Sequence, residues 1–184
     1  MNFVKALLLL QAEHNDSPEV HNAINEASQR VSVMARIYER LYSDANFREV
    51  ALRPLAEQVV QDALELSPLS EEMISLSVEE LTVPTRESLS IGIILNELIT
   101  NAVKYAFSSD ANPRIEVNII RNHDFQSLDI RVADNGRGFP QDVISGERRG
   151  YGLTIVKEMT GQHDGILELR NDGGGIILAR LKSV

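Results

Sequence analysis

The run from Leu89 to Phe107 constrains the fold more than any other stretch of the chain. Ile91, Ile94, Leu95, Leu98, Ile99, Ala102 and Val103 recur at three- and four-residue steps, the spacing that gathers apolar side chains on one side of an α-helix. That side is expected in a core. Glu97, Asn101 and Lys104 also lie three or four apart, so a carboxylate, an amide and an ammonium share a neighbouring stripe. Taken alone, the pattern equally fits an amphipathic helix with a solvated polar side. An acid, a neutral oxygen ligand and a cation side by side also suit a metal-bound phosphate.

Two glycine motifs follow. AspAsnGlyArgGlyPhePro at 134 to 140 comes after the strand-like LeuAspIleArgValAla at 128 to 133. GlyTyrGlyLeu at 150 to 153 opens an apolar run with helical spacing. A helix start preceded by glycines exposes amide N–H groups and the positive end of the helix, which favour an anion. A lone GlyXaaGly is weak evidence of such a site. Behind the AsnGlu…AsnAlaValLysTyr helix, the set is specific: it resembles the ATP-binding domain of sensor histidine kinases, in the ATPase superfamily shared with gyrase, heat-shock chaperones and mismatch-repair proteins. The resemblance covers roughly residues 50 to 184.

The resemblance implies roles for particular residues. Asn101 corresponds to the Asn that coordinates the Mg2+ bridging the phosphates of ATP; magnesium prefers oxygen ligands and keeps several waters, so one amide oxygen is enough. Glu97 lies where related ATPases place a carboxylate that orients a water or the metal. Lys104 corresponds to a phosphate-facing cation, and Tyr105 to an aromatic beside the nucleoside or, equally, to a core residue. Asp134 matches the Asp that accepts a hydrogen bond from the adenine amino group, with Gly136 and Gly138 needed for close approach and for positive φ. Phe139 and Pro140 begin a flexible lid over 139–149, in which Arg148 and Arg149 either reach phosphate or remain solvated loop charges. The phosphate tail is expected at Gly150, Gly152 and Leu153. One departure is Ile176, after the glycines at 173 to 175, where the family usually has a Thr near the adenine.

The fold this implies is an α/β sandwich of Bergerat type: a mixed sheet with helices on one side, preceded by a two-helix dimerisation hairpin. Helices are expected at 3–13, from Pro18 to about Tyr42, at 52–66 and at 151–161, and strands at 74–78, 114–121, 126–133, 164–170 and 175–182. ThrValProThrArgGlu at 82 to 87 is read as a lead into the central helix, and SerAspAlaAsn at 43 to 46 as a hinge. Residues 1–45 then form the dimerisation and phosphotransfer segment and 46–184 the catalytic domain. Two helices alone bury too little apolar surface to be stable, so a second copy is expected to complete a four-helix bundle, unless the pair packs on the chain's own second half.

Joining a two-helix segment to an AsnGluLeu…AsnAlaXaaLys core makes the chain most similar to histidine kinases of the second dimerisation type. These are kin to the group named for His, Trp and Glu motifs, although there is no Trp here. LeuLeuLeuLeuGln at 7 to 11 resembles the end of the acceptor-His segment, which puts the acceptor a few residues before Met1. His14, His21, His123 and His163 lack the sequence expected around it.

Composition narrows the field. A net charge of −9 argues against general nucleic-acid binding, which needs a basic footprint. Absence of Cys removes disulfide and thiolate chemistry. The apolar run from Ala6 to Leu10 is too short for a signal peptide or a bilayer span, and a cytoplasmic setting is expected. The leading expectation is a histidine kinase passing phosphate from Mg-ATP to a His and then to a response-regulator receiver domain. The alternatives are a degenerate dimer that docks a response regulator with little or no use of nucleotide or kinase activity, and an anti-sigma-type Ser kinase.

Overall fold

The computed structural model describes residues 17, 20, 21, 24, 27, 28, 31, 32 and 35, and 49–184 apart from 66, 68, 108–111, 149 and 183. The chain divides into two compact units, residues 1–47 and 48–184. In the first, the described residues from Val20 to Ala35 are helical, and Ser32 Oγ donates to the Ser28 carbonyl one turn back at 2.9 Å. The expected helix at 3–13, the hinge at 43–46 and His14 lie outside the described residues.

The second unit is built on a five-stranded sheet in the order β2 (Ile74–Val78), β4 (Ile115–Asn122), β5 (Ser127–Asp134), β7 (Gly175–Leu181), β6 (Ile166–Asn171). β2 runs parallel to β4 and the other pairs are antiparallel, so the sheet is mixed. A parallel pair needs a crossover. The segment between β2 and β4 supplies it and contains the long helix α2 (Thr85–Tyr105). Three helices pack on the sheet: α1 (Leu52–Glu65) on β2, α2 on β5 and β7, and α4 (Tyr151–Gln162) on β6 and β7, with α2 touching both of the others.

Strand alternation separates the two faces. Val117 pairs with Val132 and Ile119 with Ile130, while Ile177 pairs with Val132 and Ala179 with Ile130. All are buried and form the helix-covered face. Glu116, Ile120, Glu168 and Arg170 stand on the other face and are exposed, so the helices cover one side only.

Two features depart from the expected pattern. Glu49–Ala51 (β1) pairs antiparallel with Thr82–Pro84 (β3) in a small separate sheet, and three-residue strands carry too little alternation to be read in sequence. Secondly, the middle of α2 is buried on its polar side as well as on its apolar side. Every residue from Ile91 to Ile99 is buried, Asn96 and Glu97 included, because α1 and α4 flank the helix as the sheet covers it.

Candidate functional site

The middle of α2 meets the first turn of α4. Glu97 is 5% exposed, and its Oε2 lies 2.6 Å from where a Cβ on Gly152 would stand, with both ends of the Asn101 amide 3.7 Å from that point. Gly152 therefore lets the start of α4 close on the Glu97–Asn101 pair. Asn96 donates from Nδ2 to Glu97 Oε1 at 3.3 Å. Asn101 Nδ2 is buried without a hydrogen-bond partner among the described residues. A half-turn of that amide exchanges its two ends, so the same position can present a neutral oxygen to a cation. Gly150 caps α4 with open space around it and Leu153 is buried. Lys104 and Tyr105 are exposed at the C-terminal end of α2, and Tyr105 is thus not a core residue.

Where α2 ends, the loop after β5 closes against it. A Cβ on Gly136 would fall 2.1 Å from the Ala106 carbonyl oxygen, which accepts from Arg137 N at 2.9 Å. Arg137 Nε also donates to the Tyr105 carbonyl at 2.9 Å. Asn135 secures the other side, accepting from Arg114 N at 2.7 Å and donating to the Asn112 carbonyl at 3.0 Å. Within this frame Asp134 Oδ1 accepts from Gly136 N at 2.8 Å and Gly175 N at 3.1 Å. Its Oδ2 accepts no hydrogen bond among the described residues. The structure thus brings Glu97, Asn101 and Gly152 together, brings Asp134 and Gly136 together, and strings both groups along α2 between Glu97 and Ala106.

Ile176 pairs with Ala133 and so points to the sheet face opposite Asp134. The residue that shares Asp134's face is Ile177, opposite Val132. A register shift of one residue reverses the face, and sequence does not show which register holds.

The segment 139–149 contains the short helix α3 (Gln141–Ile144). Arg148 Nε donates to Asp142 Oδ2 at 2.6 Å and its Nη2 to Oδ1 at 3.3 Å. That bond holds the Asp142 carboxyl below the usual carboxylate range. Arg148 is thus turned onto a carboxylate, and Arg149 lies outside the described residues. His163 is buried at the end of α4 and His123 is exposed. No cluster of three or more His, Asp or Glu able to hold a metal occurs among the described residues. No helix among them is long and apolar enough to cross a membrane.

Residues 87–183 match the family model described as histidine kinase-, DNA gyrase B- and HSP90-like ATPase, and residues 1–67 match a model described as histidine kinase. The sensor histidine kinase PdtaS of Mycolicibacterium smegmatis is 26% identical over 182 residues, covering 97% of this chain, which spans 36% of that protein's length. Blue-light-activated histidine kinase 2 of Erythrobacter litoralis is 20% identical over 92% of this chain and half of its own length. Among solved structures, the EL346 blue-light activated histidine kinase of Erythrobacter litoralis superposes with a TM-score of 0.75 at 19% identity, covering 97% of this chain and 58% of that one. The ATP-binding domain of PrrB from Mycobacterium tuberculosis has a TM-score of 0.55 at 22% identity, covering 72% of this chain and 94% of that one. A mixed sheet covered on one side by helices, with buried Glu97 beside Asn101 under a glycine-led helix, is thus joined to family matches over residues 1–67 and 87–183, and the chain belongs to the histidine kinase-, DNA gyrase B- and HSP90-like ATPases as a homologue of sensor histidine kinases.

Proposed function

We propose that the chain is the catalytic part of a two-component sensor kinase: it binds Mg-ATP and directs the γ-phosphoryl group to a His and from there to a receiver-domain Asp. The observation that carries this reading is the pair of clusters along α2, one shaped for phosphates and the other for a base. Asp134 Oδ2, with no donor of its own, accepts the adenine amino group; guanine offers a carbonyl there, which leaves two acceptors facing each other. The amide N–H groups at the start of α4 and the Lys104 ammonium receive the phosphate tail. Asn101 would hold the Mg2+, its amide oxygen being a hard neutral ligand, and the cation when bound neutralises phosphate charge. Glu97, buried beside Asn101, tunes that ligand shell or orients a water.

Phosphoryl transfer asks little covalent help of a protein. An imidazole nitrogen bonds to the γ-phosphorus as the bond from that phosphorus to the bridging oxygen breaks, leaving ADP. The chain's part is to hold the phosphate in line and keep it fixed. The four His of this chain lack the sequence expected around the acceptor, and residues 1–45 form the homodimer that presents it.

Titration of the chain with labelled ATP, with and without magnesium, tests the reading. We expect magnesium-dependent binding that Asp134→Ala weakens by about 100-fold or more, the loss of a hydrogen bond to a charged group together with its desolvated pocket. Full retention of the nucleotide by Asp134→Ala would refute the base pocket. Failure of the unaltered chain to bind ATP would favour the degenerate docking module instead.

A further inference from the structure

Asn171, the last residue of β6, has no part in the family resemblance, yet both ends of its side-chain amide are engaged by one distant residue. Phe139 N donates to Asn171 Oδ1 at 2.8 Å, and Asn171 Nδ2 donates to the Phe139 carbonyl at 2.9 Å. The side chain thus treats Phe139 as a strand treats its neighbour, taking the N–H and supplying the C=O partner. The residue beside it is shaped to admit this contact. Gly138 has φ +71°, and a Cβ there would fall 2.7 Å from Asn171 Oδ1. A side chain at 138 would be strained in its backbone and would also displace the amide.

The consequence reaches Asp134. The Phe139 ring lies against Gly175: a Cβ on Gly175 would stand 2.8 Å from Phe139 Cε2 and 2.7 Å from Asp134 Oδ2. The ring, the bare glycine and the unpaired carboxylate oxygen therefore meet at one point. Asn171 and Gly175 face each other across the β6–β7 turn. That turn consequently grips the 134–139 loop twice, through Asn171 on Phe139 and through Gly175 N on Asp134 Oδ1.

We propose that Asn171 is a positioning residue for nucleotide recognition: its amide fixes the first residue of the 139–149 segment, so that the Phe139 ring keeps its place beside Asp134 Oδ2 at Gly175 and excludes water from that flank of the carboxylate. This rests on the reading of Asp134 as the base-recognising carboxylate. A carboxylate hydrogen bond discriminates best where the unpaired alternative stays desolvated, and the ring supplies that condition only while its backbone is held. No other side-chain type of this length offers one acceptor and one donor in a plane. Asp keeps the acceptor for Phe139 N but sets an anion against the Phe139 carbonyl.

The test compares the full chain with Asn171→Ala and Asn171→Asp, using ATP and GTP titrations, thermal melting, and amide hydrogen exchange at Phe139. Asn171 is exposed, so both variants are expected to melt close to the parent. ATP should bind about tenfold more weakly, or about 1.4 kcal/mol, while GTP affinity changes little, so that preference for ATP narrows. The Phe139 amide should exchange faster in Asn171→Ala. A residue that only stabilised the fold would lower the melting temperature and weaken both nucleotides alike, and that outcome overturns the proposal. So does unchanged ATP affinity in both variants when the parent binds ATP and Asp134→Ala does not. Failure of the parent to bind ATP would overturn the Asp134 reading itself and this inference with it.

Discussion

Two glycines of one motif stand in opposite circumstances. Gly150 has φ −68°, a conformation open to any residue, with nothing within 4 Å of where its Cβ would be. At Gly152 the added carbon would press on Glu97 Oε2, the end of a buried side chain. Gly150→Ala is therefore expected to cost less than about 1 kcal/mol, the ordinary loss of a Gly helix cap. Gly152→Ala is expected to cost about 1–3 kcal/mol, as overpacking does, and to weaken ATP binding by displacing the Glu97–Asn101 pair. Denaturant unfolding and nucleotide titration of the two variants check this; equal behaviour would show that Glu97 has room to move. The same contrast limits what sequence tells about a residue. GlyTyrGly marks a tight helix start, but which glycine is crowded depends on a side chain more than fifty residues away.

At the scale of elements, the sheet carries charge on its uncovered face. Asp129 is buried there, paired with Arg180 at 2.9 Å through both of its oxygens, and also accepts from Asn122 and Ser127. The Phe125 ring lies 4.1 Å from the Arg180 guanidinium carbon and shields the pair as a cation–π partner. Burial raises the Asp129 pKa, but the bonds from Arg180, Asn122 and Ser127 outweigh it and hold the carboxyl below its ordinary value. A depressed folded pKa contributes stability that is complete above the unfolded value, about 3.9, and is lost as pH falls through the folded one. Asp129→Asn is expected to cost about 3 kcal/mol at pH 7, since it leaves Arg180 without its counter-ion. The gap between variant and parent should narrow as pH drops below about 4. Urea unfolding at pH 7 and pH 3 measures both, and a gap independent of pH would mean that the pair contributes no charge-linked stability. None of these partners is close in sequence to Arg180, so the cluster has no local signature.

For the molecule as a whole, the second unit is compact by itself. Every buried apolar residue among those described lies between Leu52 and Leu181, so the second unit holds a core of its own. Residues 48–184 alone are expected to fold and bind nucleotide as a monomer, while the complete chain sediments as a dimer through residues 1–45. Analytical ultracentrifugation of both decides this, and a monomeric complete chain would remove the dimer from the proposed mechanism. The chain spans 36% of the length of PdtaS.

In the second unit, the order of the five sheet strands and the three long helices and the apolar face of α2 were legible in the sequence alone, because periodicity and turn chemistry act over a few residues. Asn101, Asp134 and the glycine turns were picked out by their resemblance to a family motif. Only the tertiary structure decided that α2 is enclosed on all sides from Ile91 to Ile99, that β1 pairs with β3, that Asn96 bonds to Glu97, and that Ile177 rather than Ile176 shares Asp134's face. It also decided that Asn171 holds Phe139 and that Arg148 turns to Asp142. These depend on strand register and on contacts between residues far apart in the chain, where the packing of neighbouring elements overrides what a residue's own surroundings in sequence can specify.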